Sequence, residues 1–180
     1  MKSVLRTLDL SNKNILDMGT GPYALLSVYL KNRFQIQSVT AADYLDSIIF
    51  NAALQPGAKG IEFIKTNLFD NLDAKFDIIL FNAPYISDRA GSQLGIYDTE
   101  LSRERWSGGE DGVKTISRFL SELHNFLTTD GVCLLGINHF YLKDQSLRKE
   151  LKKFPQLNLF SYSKNRVTHS GVYILRRSDL

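Results

Sequence analysis

Asn14-Ile15-Leu16-Asp17-Met18, followed at once by Gly19-Thr20-Gly21, is a short apolar strand that runs into a glycine turn. Sequence of helical period comes next, from Tyr23 to Lys31, with Leu25, Leu26, Val28, Tyr29 and Leu30 on a broad apolar face. A strand, a turn and a helix in that order open a βαβ unit, and the alternation continues downstream. Ile36 to Ala42 reads as a second strand ending at Asp43, and Ser47 to Leu54 as a helix stopped by Pro56-Gly57. Ile61-Glu62-Phe63-Ile64 is a short third strand. Phe76-Asp77-Ile78-Ile79-Leu80-Phe81 is a fourth, almost continuously apolar, as a strand buried on both faces must be. The expected class is α/β, a Rossmann-like mixed sheet with helices on both faces.

The second half keeps the rhythm after an interruption. Pro84 to Glu110 is polar and carries Gly91, Gly95, Gly108 and Gly109, so it reads as a long loop, of the kind that usually serves function. Val113 to Leu127 follows as a helix, with Ile116, Phe119, Leu120, Leu123 and Leu127 at helical spacing. Asp130-Gly131 turns into a fifth strand, Val132 to Ile137, and Lys143 to Lys153 is an amphipathic helix. Two last strands, near Leu157 to Tyr162 and Gly171 to Arg176, are joined by the polar link Ser163 to Ser170. That link is too short for a helical crossover, so the pair is expected to be a C-terminal antiparallel hairpin.

Bulk properties bound the answer without naming it. The chain has 180 residues, 43% hydrophobic and 23% charged, which suits one domain over residues 1–180 with a core that needs no staples. The single cysteine, Cys133, lies in the apolar run Val132-Cys133-Leu134-Leu135 and reads as a buried core thiol in a reducing compartment. No run reaches the roughly 18 apolar residues of a spanning helix, and the N-terminus has no signal-peptide pattern. A soluble, cytoplasmic protein with no membrane partner is expected. The formal net charge of +3 permits a nucleic-acid partner without indicating one. His124, His139 and His169 have no metal-ligand spacing to one another or to Cys133, so no metal site is expected. His139, just after the fifth strand, reads as a packing or surface histidine. Lys164, Arg166 and His169 read as a solvated face.

Three segments carry candidate chemistry. In open α/β sheets ligands bind at the carboxyl ends of the strands, where glycines let the backbone approach closely. Asp17, Gly19 and Gly21 lie at such an end, and Asp43 ends the next strand, where a carboxylate can take both ribose hydroxyls of an adenosine. The alternative is a tight turn that holds no ligand. Asn82-Ala83-Pro84-Tyr85, directly after the fourth strand, is the second segment. An amide or aromatic amine is a poor nucleophile because its lone pair is delocalised. The Asn82 side-chain oxygen and the Ala83 carbonyl can accept both N–H bonds of such a group, Tyr85 can stack on it and Pro84 stiffens the turn. Orientation then supplies the rest without a titrating base. The alternative is a chain turn with no further role. Trp106-Ser107-Gly108-Gly109-Glu110-Asp111-Gly112 is the third; Ser107 or Asp111 can cap the helix that follows.

Taken in order, Ile15-Leu16-Asp17-Met18-Gly19-Thr20-Gly21, Asp43, Thr66-Asn67-Leu68-Phe69-Asp70, the fourth strand with Asn82-Ala83-Pro84-Tyr85-Ile86, and Trp106-Ser107-Gly108-Gly109-Glu110-Asp111-Gly112 resemble the HemK-type glutamine methyltransferases. The resemblance runs over roughly residues 14 to 177, and the compact size is similar to the short eukaryotic and archaeal branch. It implies a seven-stranded sheet and S-adenosylmethionine as cofactor. It implies that Gly19 and Gly21 approach the methionine part, that Asp17 belongs to the cofactor-binding set, and that Asp43 takes the ribose. Asn67 and Leu68 then lie beside the adenine, and Asn82, Ala83, Pro84 and Tyr85 hold the acceptor, with Asn82 near the cofactor as well. The implied partners are a protein substrate of the peptide-chain release factor type and a small activating subunit. The sequence departs from the family at Ala83, where a proline is usual, and at Asn67, where an aspartate is usual.

Three functional classes follow. One is an S-adenosylmethionine-dependent N-methyltransferase acting on a planar amide or amine nitrogen, a protein glutamine first, with a nucleic-acid base or small molecule as the alternative acceptor. Another is a dinucleotide-dependent oxidoreductase, which leaves Asn82-Ala83-Pro84-Tyr85 without a role. The last is a non-catalytic Rossmann-like binding module.

Overall fold

The computed structural model describes residues 1–178. Fourteen elements run along the described chain, seven of them strands: α1 (Lys2–Leu5), β1 (Asn14–Met18), α2 (Leu25–Arg33), β2 (Ser38–Asp43), α3 (Asp46–Ala53), β3 (Glu62–Lys65), β4 (Phe76–Asn82), α4 (Asp88–Gln93), α5 (Glu100–Trp106), α6 (Lys114–Phe126), β5 (Leu127–Asn138), α7 (Asp144–Leu151), β6 (Leu157–Lys164) and β7 (Ser170–Arg177). The strands form one sheet in the order β3-β2-β1-β4-β5-β7-β6. β1 pairs in parallel with β2 and with β4, and β2 with β3, so the strand order reverses at β1. β6 and β7 pair antiparallel, with a register shift between Leu159 and Ser161. This is the Rossmann-like mixed sheet with an antiparallel C-terminal pair that the alternation of elements predicts.

The chain divides into two compact units, Met1–Phe81 with Asn125–Leu134, and Asn82–His124 with the chain from Leu135 onward. In the first, β1 and β4 supply a core of Ile15, Leu16, Met18, Ile78, Ile79, Leu80 and Phe81, all nearly inaccessible. Burying such side chains contributes about 1.5–3 kcal/mol each. Cys133 is fully buried among them, and burial pushes its thiol far above the ordinary range. In the second unit, Ile116, Phe119, Leu120 and Leu123 line one face of α6. Leu135, Ile137, Leu147, Tyr173 and Leu175 are buried in the same unit.

Three features differ from the sequence expectation. The broad apolar face expected of α2 is buried only in part: Leu30 is buried and Leu26, Val28 and Tyr29 are half-buried, whereas Leu25 is 65% exposed and Ser27 is buried in its stead. The Ser27 backbone and hydroxyl donate to buried Asp17, which satisfies the polar side chain on the inner face of the helix. The polar region after Pro84 is not a continuous loop but holds α4 and α5. Ser87 caps the first by accepting from Ala90 N, and Thr99 forms a reciprocal capping box with Ser102 on the second. β5 begins at Leu127, directly from α6, rather than after Asp130-Gly131.

Candidate functional site

One group of candidate residues, in the first unit, lies where β1 and β2 end. Asp17 is the fourth residue of β1 and is 2% exposed. Its Oδ2 accepts from Ser27 Oγ at 2.6 Å, Thr20 Oγ1 at 2.9 Å and Ser27 N at 3.2 Å. Burial raises its carboxyl to about 6 against the pull of these donors. The sequence reading grouped Asp17 with the ligand contacts; its described bonds all go to the turn and to α2, which they fasten from beneath.

Above that anchor the backbone turns sharply. Gly19 has φ +65°, Gly21 φ +70° and Ala24 φ +43°. Thr20 N donates to Ala42 O on β2 at 3.0 Å. Gly21 N donates to Asp43 Oδ2 at 3.1 Å, and Asp43 Oδ1 accepts from Tyr44 N at 2.8 Å. A Cβ added to Gly21 would meet nothing within 4 Å, so the turn presents bare backbone to open space. An oriented, half-buried carboxylate at the end of β2 beside an open glycine fits an adenosyl ligand. Asn67 and Leu68 follow β3. Leu68 is buried with φ +57°, and its carbonyl accepts from Thr66 Oγ1 at 3.0 Å. Thr66 N in turn donates to Asp43 O at 2.8 Å, so this turn is tied to the same strand end.

A second group of candidate residues, in the other unit, is built from the end of β4 onward. Asn82 is exposed, and its side-chain amide has no hydrogen-bond partner among the described residues. Ala83 is 3% exposed, and Pro84 and Tyr85 are half-buried. Burial, and then the neighbouring Tyr141, hold the Tyr85 phenol above its ordinary range, so it stays neutral near pH 7. The Tyr85 and Tyr141 rings stack at 6.3 Å between centroids.

The glycine-rich third segment holds this turn in place. Ile86 forms a parallel bridge with Ser107: Ile86 N donates to Trp106 O at 3.2 Å and Gly108 N to Ile86 O at 2.8 Å. Asp88 N donates to Gly109 O at 2.9 Å, and Tyr97 Oη to Ile86 O at 2.7 Å. Gly112, at φ +82°, passes so close that a Cβ there would sit 2.7 Å from the Tyr85 carbonyl oxygen. Of the two expected caps, Asp111 accepts from Val113 N at the entry to α6, whereas Ser107 ends α5 and hydrogen-bonds Asp88. Sequence reasoning saw the capping and missed the buttress, because the pairing of residue 86 with 107 leaves no periodic signal. It also missed Ser27 and Tyr141. A serine inside a helix and a tyrosine after a strand carry no local signature.

Among the described residues no group of three His, Cys, Asp or Glu side chains is arranged to hold a metal ion, and no helix is long and apolar enough to cross a membrane.

No family model matches the chain. A protein from Methanocaldococcus jannaschii described as a protein N5-glutamine methyltransferase is 32% identical over 127 residues, 69% of this chain and 61% of that protein. A release factor glutamine methyltransferase of Fusobacterium nucleatum is 36% identical over 147 residues, 77% of this chain and 40% of that protein. The chain has a class I methyltransferase fold and resembles the HemK-type glutamine methyltransferases. It spans less than two thirds of the length of these HemK-type relatives. Among solved structures, a ribosomal protein methylase from Lactobacillus delbrueckii superposes with a TM-score of 0.71 at 16% identity, over 98% of this chain and 76% of that one. At that identity the likeness is one of fold, and it covers the strands that carry both halves of the HemK-type pattern.

Proposed function

We infer that this chain is an S-adenosylmethionine-dependent N-methyltransferase whose acceptor is a protein glutamine side chain, of the release-factor type. The observation that carries the reading is the open glycine turn with the oriented Asp43 carboxylate at the ends of β1 and β2; the exposed Asn82 that closes β4 supports it separately. The bound cofactor supplies an electrophilic methyl group on a sulfonium.

The chain's own residues do the rest. Gly19 and Gly21 leave room for a ligand against the backbone, Asp43 offers charge-assisted acceptors to ribose hydroxyls, and Asn67 and Leu68 flank the base. Asn82 Oδ1 and the Ala83 carbonyl accept the two N–H bonds of the acceptor amide and turn its lone pair outward. Pro84 fixes the backbone after that clamp, and the neutral Tyr85 ring covers the amide plane. No residue titrating near neutrality is needed at the acceptor, because the proton leaves a nitrogen that is already acidified once alkylated. Ala83 in place of a second proline keeps the carbonyl that accepts, and the Ile86–Ser107 bridge supplies rigidity that the proline would have added.

The relatives named as release factor and ribosomal protein glutamine methyltransferases support a protein acceptor. A small activating subunit and a cytoplasmic setting accompany this reading as proposals, with the chain acting as a single methyltransferase domain. The test is transfer of a labelled methyl group to a glutamine-containing release-factor peptide by wild type and Asn82→Ala. Loss of one preorganised acceptor is expected to lower kcat by about 10²–10³ with cofactor affinity unchanged. Equal turnover by the two proteins would remove the amide clamp.

A further inference from the structure

The turn after β5 presents an aromatic surface that the motif does not account for. Phe140 is 69% exposed, its ring meets Tyr141 edge-on at 5.0 Å, and Tyr141 stacks on Tyr85. The three rings form one continuous aromatic run that starts at Tyr85 of the acceptor turn.

The turn is also fixed more firmly than a surface loop requires. Asn138 Oδ1 accepts from Phe140 N at 2.9 Å, and its Nδ2 donates to Thr168 O at 3.2 Å. His139 N donates to His169 O at 2.9 Å. The His139 ring bridges the two ends: Nδ1 lies 3.2 Å from Leu142 O, and Nε2 lies 2.5 Å from Tyr162 Oη on β6. A carbonyl can only accept, so Nδ1 carries the proton and Nε2 accepts from the Tyr162 hydroxyl. Gly171 makes room for this ring: a Cβ there would stand 2.5 Å from His139 Nε2. The β6–β7 hairpin therefore holds the turn that carries Tyr141.

We propose that Tyr141 is a specificity-determining residue, extending the Tyr85 ring into an aromatic wall on which the peptide flanking the acceptor glutamine lies, and that His139 is the positioning residue that sets it there. Planar peptide groups pack well on aromatic faces, and two tyrosines offer that area at little cost in side-chain entropy. This rests on the glutamine-acceptor reading above. Tyr141 acts on binding of the acceptor, whereas Asn82 acts on turnover, so the two roles separate in KM and kcat.

The experiment is steady-state methyl transfer to a glutamine-containing release-factor peptide, with cofactor affinity followed by calorimetry. Tyr141→Ala is expected to raise the peptide KM about tenfold, with kcat within about twofold and cofactor Kd unchanged. Tyr141→Phe is expected to match wild type, since the ring face is what binds. His139→Ala is expected to raise KM in the same direction, and the double variant to be no worse than Tyr141→Ala alone, because one residue acts through the other. Should Tyr141→Ala fail to bind cofactor, Tyr141→Leu keeps an apolar side chain without the ring and reads the same KM. An unchanged KM in an active Tyr141 variant, or additive effects of the two sites, would overturn the proposal and leave the methyltransferase reading intact. A wild-type protein that binds cofactor but transfers no methyl group to glutamine peptides would remove both.

Discussion

The Gly21 amide donates to the Asp43 carboxylate across 3.1 Å, joining the turn after β1 to the end of β2. The carboxylate assigned to the ribose is thus also the fastening of the glycine turn. Asp43→Ala removes both roles, and Asp43→Asn keeps one acceptor oxygen. Cofactor affinity measured by calorimetry should fall by at least about tenfold in the alanine variant and by less in the asparagine variant. Equal affinity in all three proteins would move the ribose site elsewhere.

Gly112→Ala tests the buttress behind the acceptor turn. The substitution places a Cβ 2.7 Å from the Tyr85 carbonyl oxygen at a backbone φ of +82°. The expected loss is about 1–3 kcal/mol of stability, read as a lower denaturant midpoint at unchanged slope. A wild-type midpoint would show that the segment from 108 to 112 can relax without cost.

Asp17 should make stability depend on pH in a direction opposite to most carboxylates. Its folded pKa of about 6 lies above the ordinary value of 3.8. The folded state therefore holds more protons than the unfolded state between those values. The contribution of this group is fully present below the unfolded pKa and is lost as pH rises through about 6. Comparing wild type with Asp17→Asn across this range isolates it: the stability difference between them should change across that window. A flat difference would mean that Asp17 titrates as it does in the unfolded chain.

Cys133 should resist thiol reagents. It is fully buried, and burial holds its thiol well above the ordinary range, so almost no thiolate forms near neutral pH. Labelling by an aromatic disulfide should be slow in buffer and rapid in denaturant. Fast labelling in buffer would place the thiol outside the core.

The parallel half of the fold was legible because its strands are continuous apolar runs and its turns carry glycine. The terminal hairpin was legible from the shortness of its link. α4 and α5 were hidden because short helices held by Ser87 and Thr99 caps need no apolar stripe. The burial of Ser27 in α2 was hidden because it rests on a hydrogen bond to Asp17 across the turn, a contact that composition does not reveal. At the candidate site, Asn82 and Asp43 announce themselves by their places at strand ends. Tyr141 and His139 owe their places to a hairpin far along the chain, and so only the folded structure brings them forward.

The central claim is that the turn from Gly19 to Gly21 with Asp43 binds the methyl donor, and calorimetric titration of the purified protein with S-adenosylmethionine, S-adenosylhomocysteine and NAD tests it most directly. The account predicts saturable binding of the first two and none of NAD. Binding of NAD alone, or of none of the three, would contradict it.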